Sequence, residues 1–270
     1  MKVVDIREDG AVRTVTLNRP EKRNALSGEM LDLLEAAFRR EPPQDERVTV
    51  IRSTGPVFCA GLDLRERAAT LDRPGASSIE GTLEAIEHYP LPVLGVVQGD
   101  AIAGGNELAL HCDLVVASTT ARFGMSLAQI GLAPTWFLAK KLLEVCGPVA
   151  AREVLLLGDP LPAERMHALG VISFLAAPED LEVEATRIIQ RLAHNAPLSL
   201  RAMKALLVRE MAFRDEIGHE DVDALIETAR RSNDARRALR PGWRSGCRSS
   251  RAGEAPCVAR PLQSAPWQSK

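Results

Sequence analysis

The residues best suited to chemistry lie in one stretch, 99–113, which reads GDAIAGGNELALHCD. Gly99, Gly104 and Gly105 let backbone turn or approach another segment closely. Two residues after Gly105 comes a carboxylate, Glu107, followed by the apolar Leu108, Ala109 and Leu110. Backbone N–H groups at a helix N-terminus can hold an oxyanion. A carboxyl in an apolar pocket has its pKa raised towards a value useful for acid–base work. The plainer reading is a strand, a turn and a helix with a solvated Glu, and this stretch by itself leaves both open. Phe58-Cys59-Ala60-Gly61-Leu62-Asp63-Leu64 is a second place where glycine lets N–H groups be presented.

Several elements must position these residues. The apolar run 93–97 predicts a buried strand leading into the stretch, and 113–117 predicts the strand after it. Upstream, 3–7 and 12–17 read as two strands joined at Glu8-Asp9-Gly10. A helix capped by Ser27 follows, with Met30, Leu31, Leu34 and Phe38 on its apolar face. A strand at 48–52 comes next. The polar segment 65–81 reads as a loop beside the site or a frayed helix, before a short helix at 82–88. Residues 121–124 are extended and 125–134 loop-like. From Trp136 onward helices dominate, at about 136–146, 148–157, 163–169, 180–194, 197–211 and 215–231, interrupted by a strand at 171–175. A strand-rich half running into a helical half suggests one domain with a helical appendage for oligomer contacts.

Composition excludes several classes. The chain has 270 residues, 46% hydrophobic and 26% charged, as expected of a globular α/β protein. At 4% aromatic content, base-stacking nucleic-acid modules are disfavoured. No apolar run approaches the roughly 18–20 residues of a membrane span, and the charged N-terminus is not a secretory signal. The five cysteines lack metal-ligand spacing, so they read as reduced residues of a cytoplasmic protein with no metal site. The net charge of −2 hides an asymmetry: residues 235–270 carry eight Lys/Arg and one acid, or +7, leaving −9 on the rest.

LNRPEKRNALS (17–27), FCAGLDL (58–64), GDAIAGGNELALHCDLVVAS (99–118), ARFGMSLAQIGLAP (121–134) and LLLGDPLPAERMHALGVIS (155–173) together resemble the crotonase, or enoyl-CoA hydratase/isomerase, superfamily. The resemblance runs in order over residues 1–234. It implies an α/β fold of repeated ββα units and a helical C-terminal region, about 176–234, that builds trimers or dimers of trimers. It also implies acyl-CoA substrates with no separate cofactor, since coenzyme A is part of the substrate. Carried over residue by residue, it places an oxyanion hole at the N–H groups of Leu62 and Gly104. The turn there reads Ala103-Gly104-Gly105 where the family carries three glycines. Segments 19–25 and 60–64 resemble those that hold coenzyme A, which brings in Lys22, Arg23, Ala25, Ala60, Leu62 and Asp63. Lys22 or Arg23 could meet a phosphate or form a solvated turn.

The acids depart from the hydratase pattern. Hydratases use two glutamates on one water. Glu107 matches the first, but Leu127 stands where the second should be, and no acid occurs between Asp113 and Glu144. The resemblance places Trp136 and Phe137 where they would narrow the acyl pocket. Asp63 reads as a cap of the following turn, and Asp113, His88 and His111 as structural. Three readings follow: a hydratase/isomerase-type enzyme in fatty acid metabolism with Glu107 as its sole acid/base; another crotonase chemistry such as decarboxylation or thioester hydrolysis; or an acyl-CoA-binding protein that has lost catalysis. Glu107 argues against the third, and Leu127 against efficient hydration.

After 234 the resemblance fails. The family continues with a helix ending in a Glu-Lys-Arg-like segment, whereas 237–250 reads RALRPGWRSGCRSS. One codon string for 237–246, read from its third base, gives Gly-Ala-Ala-Ala-Trp-Leu-Glu-Lys-Arg. Residues from about 237 are therefore expected to arise from a frameshift, as a basic tail 235–270 outside the fold. The competing expectation is a nucleic-acid or membrane arm.

Overall fold

The computed structural model describes residues 2–66, 78–215 and 217–238. Segment 67–77, within the expected polar loop, and 239–270, nearly all of the basic tail, lie outside the described residues.

β1 (Val4–Asp9) and β2 (Val12–Leu17) form the expected hairpin, pairing antiparallel from Val4–Leu17 to Asp9–Val12. β3 (Val48–Ser53), β4 (Val93–Val97), β6 (Leu114–Ser118) and β9 (Phe174–Ala176) then add in parallel, giving a six-stranded sheet in the order β1-β2-β3-β4-β6-β9. All five residues of β4 are buried because the sheet is covered on both faces there. On one face Val48, Val50, Leu94, Val96 and Val116 pack against Leu181, Ala185, Ile188 and Leu192 of α6 (Leu181–Ala193). On the other, Val15, Leu17, Ile51, Val93 and Val97 pack within the larger core under the remaining helices.

A second, smaller layer carries the site. β5 (Ala101–Ile102), β7 (Arg122–Gly124) and β8 (Leu161–Pro162) form a three-stranded sheet. Single parallel bridges continue it, from Ala101 to Cys59 and from Leu62 to Leu26. Each unit therefore gives one long strand to the main sheet, one short extended piece to this layer, and then a helix. The helices are α1 (Gly28–Arg39), α2 (Ile79–Glu87), α3 (Gly104–Leu110) and α4 (Trp136–Arg152). In α1 the Ser27 hydroxyl accepts from the N–H of Met30 at 3.2 Å, and Met30, Leu31, Leu34, Ala37 and Phe38 are buried, as the spacing predicts. Such a cap is worth about 1 kcal/mol.

The structure moves some boundaries. α2 starts at Ile79, earlier than the expected 82, because the Ser78 hydroxyl accepts from the N–H of Glu80 and sets the first turn there. The strand expected at 171–175 is β9 at Phe174–Ala176. Val171 and Ile172 instead donate back to the carbonyl of Met166, closing the end of α5 (Ala163–Ala168). The break expected between 146 and 148 lies inside α4, where Gly147 has φ 72° and ψ 173°. α7 (Pro197–Met211) is as expected, whereas the helix expected from 215 is α8 (Glu220–Arg230). α9 (Asn233–Ala238) crosses the expected boundary at 234. Its Ala235 and Ala238 are buried, and a Cβ on Gly131 would lie 2.7 Å from the N of Ala235.

Candidate active site

Leu62 and Gly104 each follow a short piece of the second layer, and those pieces are neighbours. Ile102 donates to the carbonyl of Cys59 at 2.9 Å, and Cys59 to that of Asp100 at 3.2 Å. Backbone then packs on backbone. A Cβ on Gly61 would lie 3.1 Å from the N of Gly104, and one on Gly104 would lie 3.3 Å from the Cα of Gly61. Gly105 is closer still to its neighbour, since a Cβ there would lie 2.1 Å from the carbonyl oxygen of Cys59. These glycines exist because two chain segments pass at contact distance.

That packing sets the N–H groups of Leu62 and Gly104 on neighbouring backbone. In the Leu26–Leu62 bridge, Leu26 donates to Gly61 at 2.8 Å and Asp63 donates to Leu26 at 2.9 Å, so the N–H of Leu62 faces the opposite way. The N–H of Gly104 opens α3, where no helical acceptor exists. Among the described residues neither N–H has an acceptor. Ala103, at the N-cap, holds φ 48° and ψ −117°, a conformation that favours glycine.

Glu107 stands one turn into α3 and is 5% exposed. No cation pairs with its carboxyl among the described residues. Burial raises it from the ordinary 4.5 to about 8, and the nearby charge of Glu80 adds to the rise. It is thus a neutral acid near pH 7, able to give up a proton at little cost.

The two segments expected to hold coenzyme A are laid edge to edge. The buried Asn24 does this: its amide donates to the carbonyls of Thr54 and Val57, both at 2.8 Å, and accepts from the N–H of Arg19 at 2.9 Å. Ala60 donates to the carbonyl of Arg23 at 3.1 Å, and Arg19 reaches the carbonyl of Ala25 at 2.7 Å. Arg23 and Asn24 both take left-handed backbone, with φ 53° and 52°. Lys22 and Arg23 are exposed and have no ion-pair partner among the described residues. The Asp63 side chain is occupied: Oδ1 accepts from the N–H groups of Arg65 and Glu66, and Oδ2 pairs with Arg19 at 3.3 Å. Sequence reasoning missed Asn24 and Arg19, although an Asn followed by a turn is a usual sign of side-chain stapling.

Leu127 is half-buried and packs on the main core, and Trp136 opens α4 with its ring stacked on His219 at 4.7 Å. Phe137 stacks instead on His111 at 5.2 Å. His111 is buried at the end of α3, and Asp113 accepts from the N–H of Val93 at 2.7 Å and from Lys204 at 2.6 Å, both structural positions. Among the described residues no group of three or more His, Cys, Asp or Glu could hold a metal ion.

Residues 7–240 match the enoyl-CoA hydratase/isomerase family model. The chain belongs to the enoyl-CoA hydratase/isomerase family. A Thermus thermophilus protein assigned to the enoyl-CoA hydratases is 37% identical over 208 residues, covering 74% of this chain and 82% of the relative. An enoyl-CoA isomerase/hydratase of Mycosarcoma maydis is 32% identical, covering 83% of this chain and 87% of the relative. Among solved structures, an enoyl-CoA hydratase from Mycobacterium tuberculosis superposes with a TM-score of 0.72 at 34% identity, covering 86% of this chain and all of that one. The family's crotonase fold is therefore the fold of this chain, and the two-layered arrangement around Gly61 and Gly104 is how this sequence builds it.

Proposed function

We propose that this protein is an acyl-CoA enzyme of the hydratase/isomerase type that stabilises a thioester enolate between the N–H groups of Leu62 and Gly104. The observation that carries this is the placement of those two free N–H groups on touching backbone, with a buried, protonated Glu107 one turn away. When a proton leaves the α-carbon, or a nucleophile adds at the β-carbon, charge grows on the thioester oxygen. Donors fixed in place before the reaction cost no reorganisation, and each is worth about 3 kcal/mol. Glu107 is the group that moves the proton. Lys22 and Arg23, exposed beside the 60–64 edge, meet coenzyme A phosphates, with Ala25 and Ala60 lining the same edge. Leu127 and Trp136 bound the acyl chain. Asp63 acts through Arg19, as a holder of the loop.

A fatty acyl chain suits these apolar walls, and the reaction needs no cofactor beyond the coenzyme A of the substrate. Exposed Leu198, Met203, Leu206 and Leu207 on α7 and Leu225 on α8 support a homotrimer or dimer of trimers. Cys59 and Cys112 are free, buried thiols pushed up to about 12, which suits the reducing cytoplasm. No helix among the described residues is long and apolar enough to cross a membrane.

Purified full-length protein is assayed with crotonyl-CoA, a 3-enoyl-CoA and a malonyl-type CoA. Turnover of one of the enoyl substrates, lost in Glu107→Gln with acyl-CoA binding retained, is the expected result. Turnover of the malonyl-type substrate alone would move the protein to decarboxylase chemistry. Binding without any turnover would make it an acyl-CoA carrier.

A further inference from the structure

Leu127 leaves the loop 124–130 without an acid, yet Glu107 is not alone. Among the described residues, the charge of Glu80, one residue into α2, adds to the effect of burial on Glu107. Three features of the packing bring the two together.

First, α2 and α3 lie side by side in the same direction. At one end Ile79 touches Gly104, where an added Cβ would lie 2.7 Å from Ile79 Cδ1. At the other end Glu87 Oε2 lies 3.9 Å from His111 Nε2. Second, Glu80 and Glu87 are seven residues apart, which returns them to the same face of a helix. Glu87 shows that this face looks at α3. Glu80 therefore faces the start of α3, at the level of Gly104. Third, helical side chains lean towards the N-terminus of their own helix, so the carboxyl of Glu107 reaches back to that same level. Glu80 is also held in place: Ser78 Oγ donates to its Oε2 at 2.7 Å while its own N–H donates to Ser78 Oγ at 3.2 Å. It is half-buried, so it is open to a water molecule.

We propose that Glu80 is the second carboxylate of the acid–base pair, supplied from α2 in place of the acid that position 127 lacks. This rests on the acyl-CoA reading above. In hydration of a 2-enoyl thioester, the Glu80 carboxylate takes a proton from the attacking water as its oxygen bonds to the β-carbon. The electron pair of the double bond moves into the thioester, forming an enolate whose oxygen is held by Leu62 and Gly104. Glu107 then delivers its proton to the α-carbon and becomes a carboxylate. Passage of the proton from Glu80 to Glu107 restores the starting state. No oxidant, reductant or metal enters.

The test compares wild type with Glu80→Gln, Glu80→Asp and, as a control on the same helix, the exposed Glu84→Gln. The reaction is crotonyl-CoA hydration by the full-length protein. Glu80→Gln should lower kcat by about 100-fold or more with KM little changed, Glu80→Asp should recover part of it, and Glu84→Gln should match wild type. A second readout is independent of turnover. The carboxyl infrared band of Glu107, assigned by difference against Glu107→Gln, should titrate at lower pH in Glu80→Gln, because the like charge that raises it is gone. Glu80→Gln with kcat within about threefold of an active wild type, or an unmoved Glu107 midpoint, overturns the proposal and leaves the acyl-CoA reading standing. A wild-type protein that turns over no enoyl-CoA overturns both.

Discussion

The ring of His111 donates from Nδ1 to the carbonyl oxygen of Glu107 at 2.7 Å. A carbonyl can only accept, so the proton sits on Nδ1, and Nε2 has no hydrogen-bond partner among the described residues. Burial, with the charge of Lys141 adding to it, lowers the imidazole to about 4. Helix α3 thus carries an uncharged imidazole at its end and an uncharged carboxyl near its start at neutral pH.

These two groups give stability a pH signature. The folded state holds the Glu107 proton up to about 8, while the unfolded chain releases it near 4.5, so this residue's contribution to stability falls as pH rises across that window. His111 acts the other way, because the unfolded chain takes up a proton below 6.5 and the fold refuses it down to about 4. Glu107→Gln removes the first effect only. Denaturant midpoints at about pH 5 and about pH 9 should show the variant gaining on wild type with pH, by several kcal/mol at about 1.4 kcal/mol per pKa unit. A gap that stays constant with pH would mean that Glu107 ionises normally in the fold.

Ala103 is a strained residue at the entrance of α3, with φ 48° and ψ −117°. The resemblance to the family places a glycine there. Ala103→Gly should relieve about 1–3 kcal/mol of backbone strain against about 0.4–1 kcal/mol of added unfolded-state entropy, for a net gain near 1 kcal/mol. Thermal unfolding of the two proteins measures it, and a lower midpoint for the variant would show that the Ala103 methyl, packed beside Gly61, contributes more than the strain costs.

Much of this was legible in the sequence because it depends on local rules. The Ser27 cap and the apolar spacing of α1 are local, and so are the glycines that let 58–61 and 99–105 pass at contact distance. The parts that were not legible depend on distant pairs. Asn24 became important only once Thr54 and Val57 were brought to its amide. Glu80 lies in the polar segment 65–81, which reads as a loop or a frayed helix, since the cap that starts α2 at Ile79 is one serine among several polar residues. Its place opposite Glu107 follows from two helices lying in parallel, which no spacing within either helix reports.

Adjacent glycines of the α3 turn should fail differently. A Cβ on Gly105 meets the backbone carbonyl of Cys59 at 2.1 Å, and backbone cannot move aside there without separating β5 from its neighbour. A Cβ on Gly104 meets the end of the Ile79 side chain at 2.7 Å, which can change rotamer, and the Cα of Gly61 at 3.3 Å. Gly105→Ala should cost about 3 kcal/mol or more and yield little folded protein. Gly104→Ala should fold with a smaller loss and instead lower kcat, because it pushes apart the strands that carry the two N–H donors. Parallel measurement of unfolding midpoint and kcat separates the two, and equal stability losses would contradict the assignment.

Position 127 offers the remaining test of where protons move. Leu127 is half-buried against the main core, so Leu127→Glu should cost about 1–3 kcal/mol of stability for the carboxyl it desolvates. In the wild-type background a third acid adds like charge to the site and gives no new route for the water proton. In the Glu80→Gln background it replaces what was lost, from the loop where the resemblance to hydratases places the acid. The double variant should therefore hydrate crotonyl-CoA at least about tenfold faster than Glu80→Gln alone, with its activity rising towards higher pH as the new carboxyl ionises. A double variant no faster than Glu80→Gln would place the 127 side chain away from the reacting carbons and leave α2 as the sole source of a second acid.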